Sequence, residues 1–324
     1  MVYLRFKAKA IRILKVLKIY GPVKNTIEYC CLFLRKYRII ARSRFVTFEH
    51  RYINCQADPN KKTVCVIVSC YNHLEYTKQA IDSYYAAIDD LHNYILIVMD
   101  DHSTDQTKSF FTQNARKYKN LCYFRYNNNM GLTQTWNDGT LFALKTLKAD
   151  YIFIINNDVI MPEQTFYKLL THFDRNKKIG AVGPLTNSPG YEPRQDIRHF
   201  YPAYRASDCR ADVQATAEII KHNRPVQLAH INGFFMGFPR KAFEKNIYSY
   251  ILFKPYFFDP LNRNAGNEDE FLRRLKQGGF KILGAMDVFV FHYKDISQHR
   301  FAEGKVTRFR RDKNFSALNS IDET

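Results

Sequence analysis

Unbroken apolar runs that end abruptly in polar clusters alternate along this chain with stretches of helical spacing. The sharpest case is Tyr151-Ile152-Phe153-Ile154-Ile155, which runs straight into Asn156-Asn157-Asp158. A continuous apolar run rich in β-branched residues reads as a strand buried on both faces, as in a parallel sheet covered by helices. Thr63 to Ser69 and Tyr94 to Met99 read the same way, and Leu121 to Arg125 as a shorter strand. Between them, Leu74, Ala80, Ile81 and Tyr84 mark a helix over 74–87, and a second helix runs through Trp136 to Leu147. Ser103 or Thr104 is placed to cap the helix after the second strand. Strand and helix alternating in this way predict a doubly wound α/β unit.

Past Asp158, a helix is expected from Gln164 to Phe173 and a short strand over Ile179 to Pro184. Residues 186–228, rich in Pro, Arg, Asp and Asn, read as irregular and as an active-site loop. His230 to Gly237 is apolar with two glycines, and a helical turn follows at Arg240 to Phe243. Asn267-Glu268-Asp269-Glu270 opens a helix through Leu275 that Gly278-Gly279 closes. Phe280 to Leu283 and Val288 to Phe291 read as two strands, the second delivering His292.

The pattern divides the chain into a basic amphipathic helical extension (1–60), a main domain (61–299) and a basic tail (300–324). Asp58-Pro59-Asn60-Lys61-Lys62 is the turn-forming boundary. Phe6, Ala10, Ile13, Leu17 and Tyr20 follow helical spacing, and only Glu28 opposes the many lysines and arginines between Arg5 and Arg44. That stretch fits either a helix lying on an anionic membrane surface or a helical hairpin packed on the main domain. Its apolar run Tyr29 to Leu34 is far shorter than the ~20 residues that span a bilayer. The whole chain has 324 residues, and 49 basic against 31 acidic residues leave it at +18, a charge that calls for a polyanionic partner or surface. The seven cysteines, an odd number without a C-x-x-C pair, give neither a disulfide framework nor a zinc site and fit the cytosol.

The candidate chemistry lies where strands end or helices begin. The clusters are Cys70-Tyr71-Asn72, Asp100-Asp101-His102-Ser103-Thr104-Asp105, Asn156-Asn157-Asp158 and Asn267-Glu268-Asp269-Glu270, with His292 as a fifth position. Ligands bind at the carboxyl ends of strands in open α/β sheets. Taken in this order, from about Val64 to Ser297, the set resembles the inverting GT-A glycosyltransferases of family two, which include many bacterial capsule and lipopolysaccharide sugar transferases. Asn129-Met130-Gly131, Asn137-Asp138-Gly139 and Ile179 to Pro184 resemble segments between that family's motifs.

The resemblance implies a Rossmann-like GT-A sheet and transfer of a sugar from a nucleotide-diphosphate donor, UDP- or dTDP-linked, to a glycan or lipid-linked acceptor. It implies work at the inner face of the cell membrane. Asp100 would accept the base imide N–H, or else merely cap a helix. Cys70, Tyr71, Asn72, Gly131, Asn137, Asn156 and Asn157 would line the nucleotide-sugar cleft. Asp158 and His292 would hold a divalent cation, Mn or Mg. Asp269 would deprotonate the acceptor hydroxyl while Glu268 binds acceptor hydroxyls, and Asn232 to Met236 would form the wall facing the sugar. Where the family has Gly, His102 stands, a residue that tolerates positive φ. Two rival readings remain open. A sugar-1-phosphate nucleotidyltransferase would need a Gly-rich phosphate loop that Ser69-Cys70-Tyr71-Asn72 does not supply. A nucleic-acid-binding protein fits the charge, but no binding-module signature appears, so no nucleic acid is expected as a partner.

Overall fold

The computed structural model describes residues 46–190, 192–205, 210–247, 255–260, 262–264 and 266–293. The basic run up to Arg44 and the tail from residue 300 lie outside the described residues.

The strands in chain order are β1 (Phe48–Ile53), β2 (Thr63–Cys70), β3 (Asn93–Asp100), β4 (Leu121–Tyr126), β5 (Tyr151–Asn156), β6 (Val159–Ile160), β7 (Ile179–Leu185), β8 (Val226–Leu228), β9 (Phe235–Pro239), β10 (Lys281–Phe289) and β11 (Phe291–His292). Among the described residues, nine of them form one sheet in the order β1-β4-β3-β2-β5-β9-β7-β10-β8, and β6 pairs with β11 in a separate ribbon. β2 lies at the centre of a parallel ladder with β3 and β5, with Cys70 opposite Asp100 and Ser69 opposite Asn156. β9 runs antiparallel to both β5 and β7.

Every residue of β2 and β3 is buried, as their unbroken apolar runs require. Alternate side chains serve opposite layers. Cys65 and Ile67 join one core with Trp136, Phe238, Phe243 and Phe271. Val64, Val66 and Val68 join the other with Tyr84, Phe111, Phe166 and Phe173. The helices divide accordingly. α1 (Leu74–Ala87), α2 (Thr107–Asn114) and α4 (Thr165–Arg175) cover the second core. α3 (Leu132–Lys145), α5 (Arg210–Ile220), α6 (Arg240–Glu244) and α7 (Asn267–Gln277) cover the first.

Four expectations need correction. Residues 48–53, assigned to the helical extension, form an edge strand that pairs antiparallel with β4; their alternating half-burial suits a strand covered on one face. Residues 186–228 are not irregular throughout, since they contain α5 and β8; Val213, Ala217 and Ile220, spaced four and three apart, are the buried stripe of α5. The two strands read between Phe280 and Phe291 are largely one, β10, because the interrupting Asp287 is paired at 3.0 Å with Nε2 of buried His172. The helix after β3 has Gln106, not Ser103 or Thr104, at its N-cap, and Asp105 just before it accepts from Thr107 N at 3.0 Å.

Gly237 marks the tightest crossing of the sheet. A Cβ there would collide with the Phe153 ring and stand 2.9 Å from Val182 Cγ1. Both neighbours are fully buried and have no room to retreat. Gly237→Ala is therefore expected to lose about 1–3 kcal/mol from overpacking. Urea unfolding at pH 7 checks this, and an unchanged midpoint would show that the sheet relaxes freely at this point.

Candidate active site

The in-register ladder sets the polar ends of β2, β3 and β5 along one edge. There the chain turns through left-handed backbone at Asn72 (φ 59°), His73 (φ 58°) and His102 (φ 65°). Asn72 ties two of these turns together, its Oδ1 accepting from Thr104 N at 2.6 Å and Asp105 N at 3.2 Å. His102 does occupy the conformation expected of it. Tyr71 is 41% exposed beside these turns, a free aromatic face at the edge.

Several nucleotide-cleft candidates have internal partners that the local sequence does not reveal. Asp100 is fully buried. Its oxygens accept from Ser103 N at 2.7 Å, Tyr123 Oη at 2.7 Å and Arg125 Nη1 at 2.8 Å. These bonds make Asp100 the tie between its own loop and β4. The Cys70 side chain packs in the core, and burial pushes its thiol well above the ordinary range. Its carbonyl, not its thiol, acts at the edge, accepting from Asp101 N at 2.9 Å. Asn137 is a clamp: Oδ1 accepts from Phe257 N and Phe258 N, and Nδ2 donates to Phe258 O. Asn157 Nδ2 donates to Thr77 Oγ1 at 2.9 Å, and Asn156 N to Phe234 O at 2.9 Å.

Asp101 was not singled out from sequence. It accepts from Met130 N at 2.5 Å and Gly131 N at 2.9 Å, and burial lifts its carboxyl to about 6. Gly131 has φ +92°, and a Cβ on it would run into the Arg263 side chain. Arg263 donates to both oxygens of Asn129, the backbone O at 2.7 Å and Oδ1 at 2.6 Å. The segment bearing Arg263 is fastened to the start of α3, with Leu132 N donating to Asn264 Oδ1 at 3.1 Å and Thr133 N to Arg263 O at 3.1 Å.

Asp158 and His292 do come together. The β6–β11 ribbon sets His292 opposite Val159, and His292 Nε2 stands 3.3 Å from Asp158 Oδ1. The His292 ring stacks on Phe234 at 5.0 Å, and its Nδ1 faces Ser188 O at 3.4 Å. Such a backbone partner on the far nitrogen is how proteins orient a metal-binding imidazole. A carboxylate oxygen beside an imidazole nitrogen fits one divalent ion. Among the described residues no group of three His, Cys, Asp or Glu side chains converges, so these two would leave the remaining positions to water and phosphate oxygens.

α7 presents its first-turn acids in different settings. Glu268 points inward, its Oε1 accepting from Gly233 N at 3.2 Å, and a Cβ on Gly233 would lie 3.1 Å from the Trp136 ring. Burial raises its carboxyl to about 7. Asp269 points outward, half exposed, with Oδ1 3.2 Å from His230 Nδ1. Glu270 is held by Arg274, whose Nε donates to it at 2.7 Å, and serves the helix. Asn232, expected in the sugar-facing wall, is fixed by Gln195 Oε1, which accepts from its backbone N at 2.8 Å and its Nδ2 at 2.9 Å. His230 was missed, although a histidine two residues before Asn232-Gly233 was the available signal.

The Glu268 environment makes a measurable demand. Its carboxyl ordinarily titrates at 4.5 and is raised to about 7 in the fold, so folding takes up a proton between those values. Its burial costs little at low pH and destabilises progressively as pH rises to about 7. Glu268→Gln, which mimics the protonated form, is expected to match wild type near pH 4. Above pH 7 it is expected to be more stable, by on the order of 2–3 kcal/mol. Urea midpoints across that range check this, and parallel curves would place Glu268 in solvent.

Comparison with known proteins identifies the family of the chain. The sequence model of glycosyl transferase family 2 matches residues 65–247. The chain is 28% identical over 124 residues to an uncharacterized glycosyltransferase of Mycoplasma genitalium, covering 38% of this chain and 40% of the relative. It is 30% identical over 145 residues to the minor teichoic acid biosynthesis protein GgaB of Bacillus subtilis, covering 44% of this chain and 16% of that one. The chain thus spans less than half the length of these curated relatives. A solved structure of GalNAc-T7 with UDP, GalNAc and Mn2+ superposes with a TM-score of 0.52 at 13% identity, over 72% of this chain and 44% of that one, a likeness of fold. Because the family model covers more than half of the chain, from within β2 through α6, this chain is a member of glycosyl transferase family 2.

Proposed function

We propose that the chain is a metal-dependent inverting glycosyltransferase that moves a sugar from a UDP- or dTDP-linked donor to a glycan or lipid-linked acceptor in cell-surface polysaccharide synthesis. One observation carries the reading: the Asp158–His292 pair and the Glu268–Asp269 pair are held by neighbouring parts of one loop, Asn232 to Phe234. A diphosphate site and an acid–base site that share a wall suit a single displacement at a sugar carbon. The relationship to a teichoic acid protein is consistent with a surface-glycan acceptor.

In this mechanism Tyr71 offers its exposed ring to the base, while Asn72 and Asp100 keep the loop beneath it rigid. Asp158 and His292 would hold a Mn or Mg ion. When bound, that ion supplies the positive charge that stabilises the departing diphosphate. Asp269, half exposed, takes the proton of the acceptor hydroxyl as the hydroxyl oxygen bonds to the anomeric carbon and the diphosphate leaves from the opposite face. Inversion follows from that one displacement. Glu268, whose carboxyl titrates near 7, can donate or accept a hydrogen bond and holds a neighbouring hydroxyl.

The test is release of nucleoside diphosphate from a panel of nucleotide sugars with Mn and an acceptor. Asp158→Ala and EDTA are each expected to abolish turnover. Asp269→Asn is expected to bind nucleotide and melt as wild type while losing ~10²–10⁴ in rate. Full activity with EDTA would remove the metal from the mechanism, and an Asp269→Asn variant above about a tenth of wild-type turnover would move the base elsewhere.

The proposal includes peripheral attachment to the cytoplasmic face of an anionic membrane through the basic run between Arg5 and Arg44. Among the described residues, no helix is long and apolar enough to cross a membrane. Deleting residues 1–45 is expected to weaken flotation with anionic liposomes and leave donor hydrolysis intact. Equal flotation of the truncated and full chains would reject this attachment.

A further inference from the structure

Two thiols meet where the edge strand ends. Cys55 lies just past β1, 67 positions before Cys122 of β4, and the two Sγ atoms stand 2.9 Å apart in a thiol–thiol hydrogen bond. The backbone keeps them side by side. Asn54 N donates to Leu121 O at 3.2 Å, and Gln56 N donates to Asn120 Oδ1 at 2.9 Å. Ile53, two residues before Cys55, is the strand partner of Cys122. Cys122 is fully buried and fixed within the ladder, whereas Cys55 is partly exposed and lies beyond the last residue of β1. One sulfur is thus anchored, and the other sits on backbone free to close the gap to the ~2.05 Å of a disulfide.

The pair also divides the work of thiol–disulfide exchange. The attacking group in that reaction is a thiolate that a reagent can reach. Cys55 is suited to attack: the Cys122 S–H donates to it and lowers its proton affinity, with burial opposing. Cys122 is shifted the other way by its bond to Cys55 and by burial, so its sulfur is the one that resolves. Cys65 and Cys70, the other cysteines among the described residues, are buried, and burial pushes both thiols well up. β1 has β4 as its one neighbour in the sheet. Its Glu49 accepts from Arg125 Nε at 2.7 Å, and Arg125 in turn holds Asp100. A covalent tie at Cys55 would fasten the strand that carries this chain of contacts.

We propose that Cys55 and Cys122 form a reversible disulfide site, which clamps the edge strand β1 to β4 when the chain meets a low-molecular-weight disulfide such as glutathione disulfide. The Cys55 thiolate attacks one sulfur of the oxidant, breaking its S–S bond and expelling one small thiolate. The Cys122 sulfur gives up its proton and attacks the Cys55 sulfur of the mixed disulfide. The protein S–S bond forms and the second small thiolate leaves. Two electrons pass from the protein to the oxidant, and the two thiol protons end on the two small thiols released. Cytosolic disulfides are mostly transient and responsive to redox state, which is the behaviour a half-exposed pair of this kind provides. The site stands independently of the sugar-transfer reading.

The test treats the full chain with glutathione disulfide, alkylates the remaining thiols and maps the peptides by mass spectrometry. The Cys55 and Cys122 peptides are expected to be joined, and dithiothreitol to release them. Cys55→Ser is expected to leave Cys122 as a free thiol. Cys122→Ala is expected to stop the reaction at a glutathione adduct on Cys55. In urea, the joined chain is expected to unfold at a midpoint about 1 M above that of the reduced chain, and Cys55→Ser to abolish the difference. A wild-type chain that keeps both thiols free, or that carries glutathione on Cys55 without joining Cys122, would overturn the disulfide site. A joined chain with an unchanged midpoint would overturn the clamp. Should the buried Cys122→Ala substitution prevent folding, wild type and the half-exposed Cys55→Ser variant still decide both points.

Discussion

The parallel ladder of β2 with β3 and β5 is the constraint on which the rest of the molecule depends. Parallel pairing fixes all three strands in one direction, so their polar carboxyl ends meet on one edge. The register sets Cys70 opposite Asp100 and Ser69 opposite Asn156. Burial of both faces fixes that register firmly, because a slip of one residue would exchange the two cores. The edge is therefore flush, and each turn that leaves it begins at nearly the same height. Left-handed residues at 72, 73 and 102 then bend the chain sharply enough to interlock the turns.

The carboxylates at this edge are chemically unlike, and their differences come from depth and neighbours rather than residue type. Asp100 has lost all contact with solvent and is neutralised by Arg125, so it behaves as part of the frame. Asp101 is buried and Glu268 half-buried, both with backbone N–H groups as their main partners, and burial raises both. Asp158 and Asp269 each face an imidazole. Environments that separate neighbouring acids in this way are how one site can divide frame, counter-charge and proton transfer among similar side chains.

The sequence was most legible where one physical demand dominates. Strands buried on both faces must be apolar throughout, so β2, β3 and β5 stand out in the bare chain. Amphipathic helices such as α1 and α4 stand out by spacing. Reading failed where a distant partner cancels a local signal. Asp287 looks like the end of a strand until His172, more than a hundred residues away, is seen to pair with it. The bonds that Asp100 accepts from Tyr123 and Arg125 of the next strand have no local sequence signal. Asn137 looks like a cleft residue until it is found clamping the backbone at 257–258. The ordered acids were visible as a set; which of them have partners is a property of the tertiary structure.

The reversed strand β9 has a consequence for how such a site can change. Because β9 runs against β5 and β7, the loop entering it lies on the edge where its neighbours end. That loop reaches Glu268 through the amide of Gly233, and Asn156 through the carbonyl of Phe234. These links are made by main-chain atoms, which every residue except proline can supply for the N–H. The side chains of this loop are committed as well: Asn232 is held by Gln195, Phe234 stacks on His292, and a Cβ on Gly233 would lie 3.1 Å from the Trp136 ring. Main chain and side chains together therefore fix the dimensions of the wall, and change at such a site has to come from outside the loop.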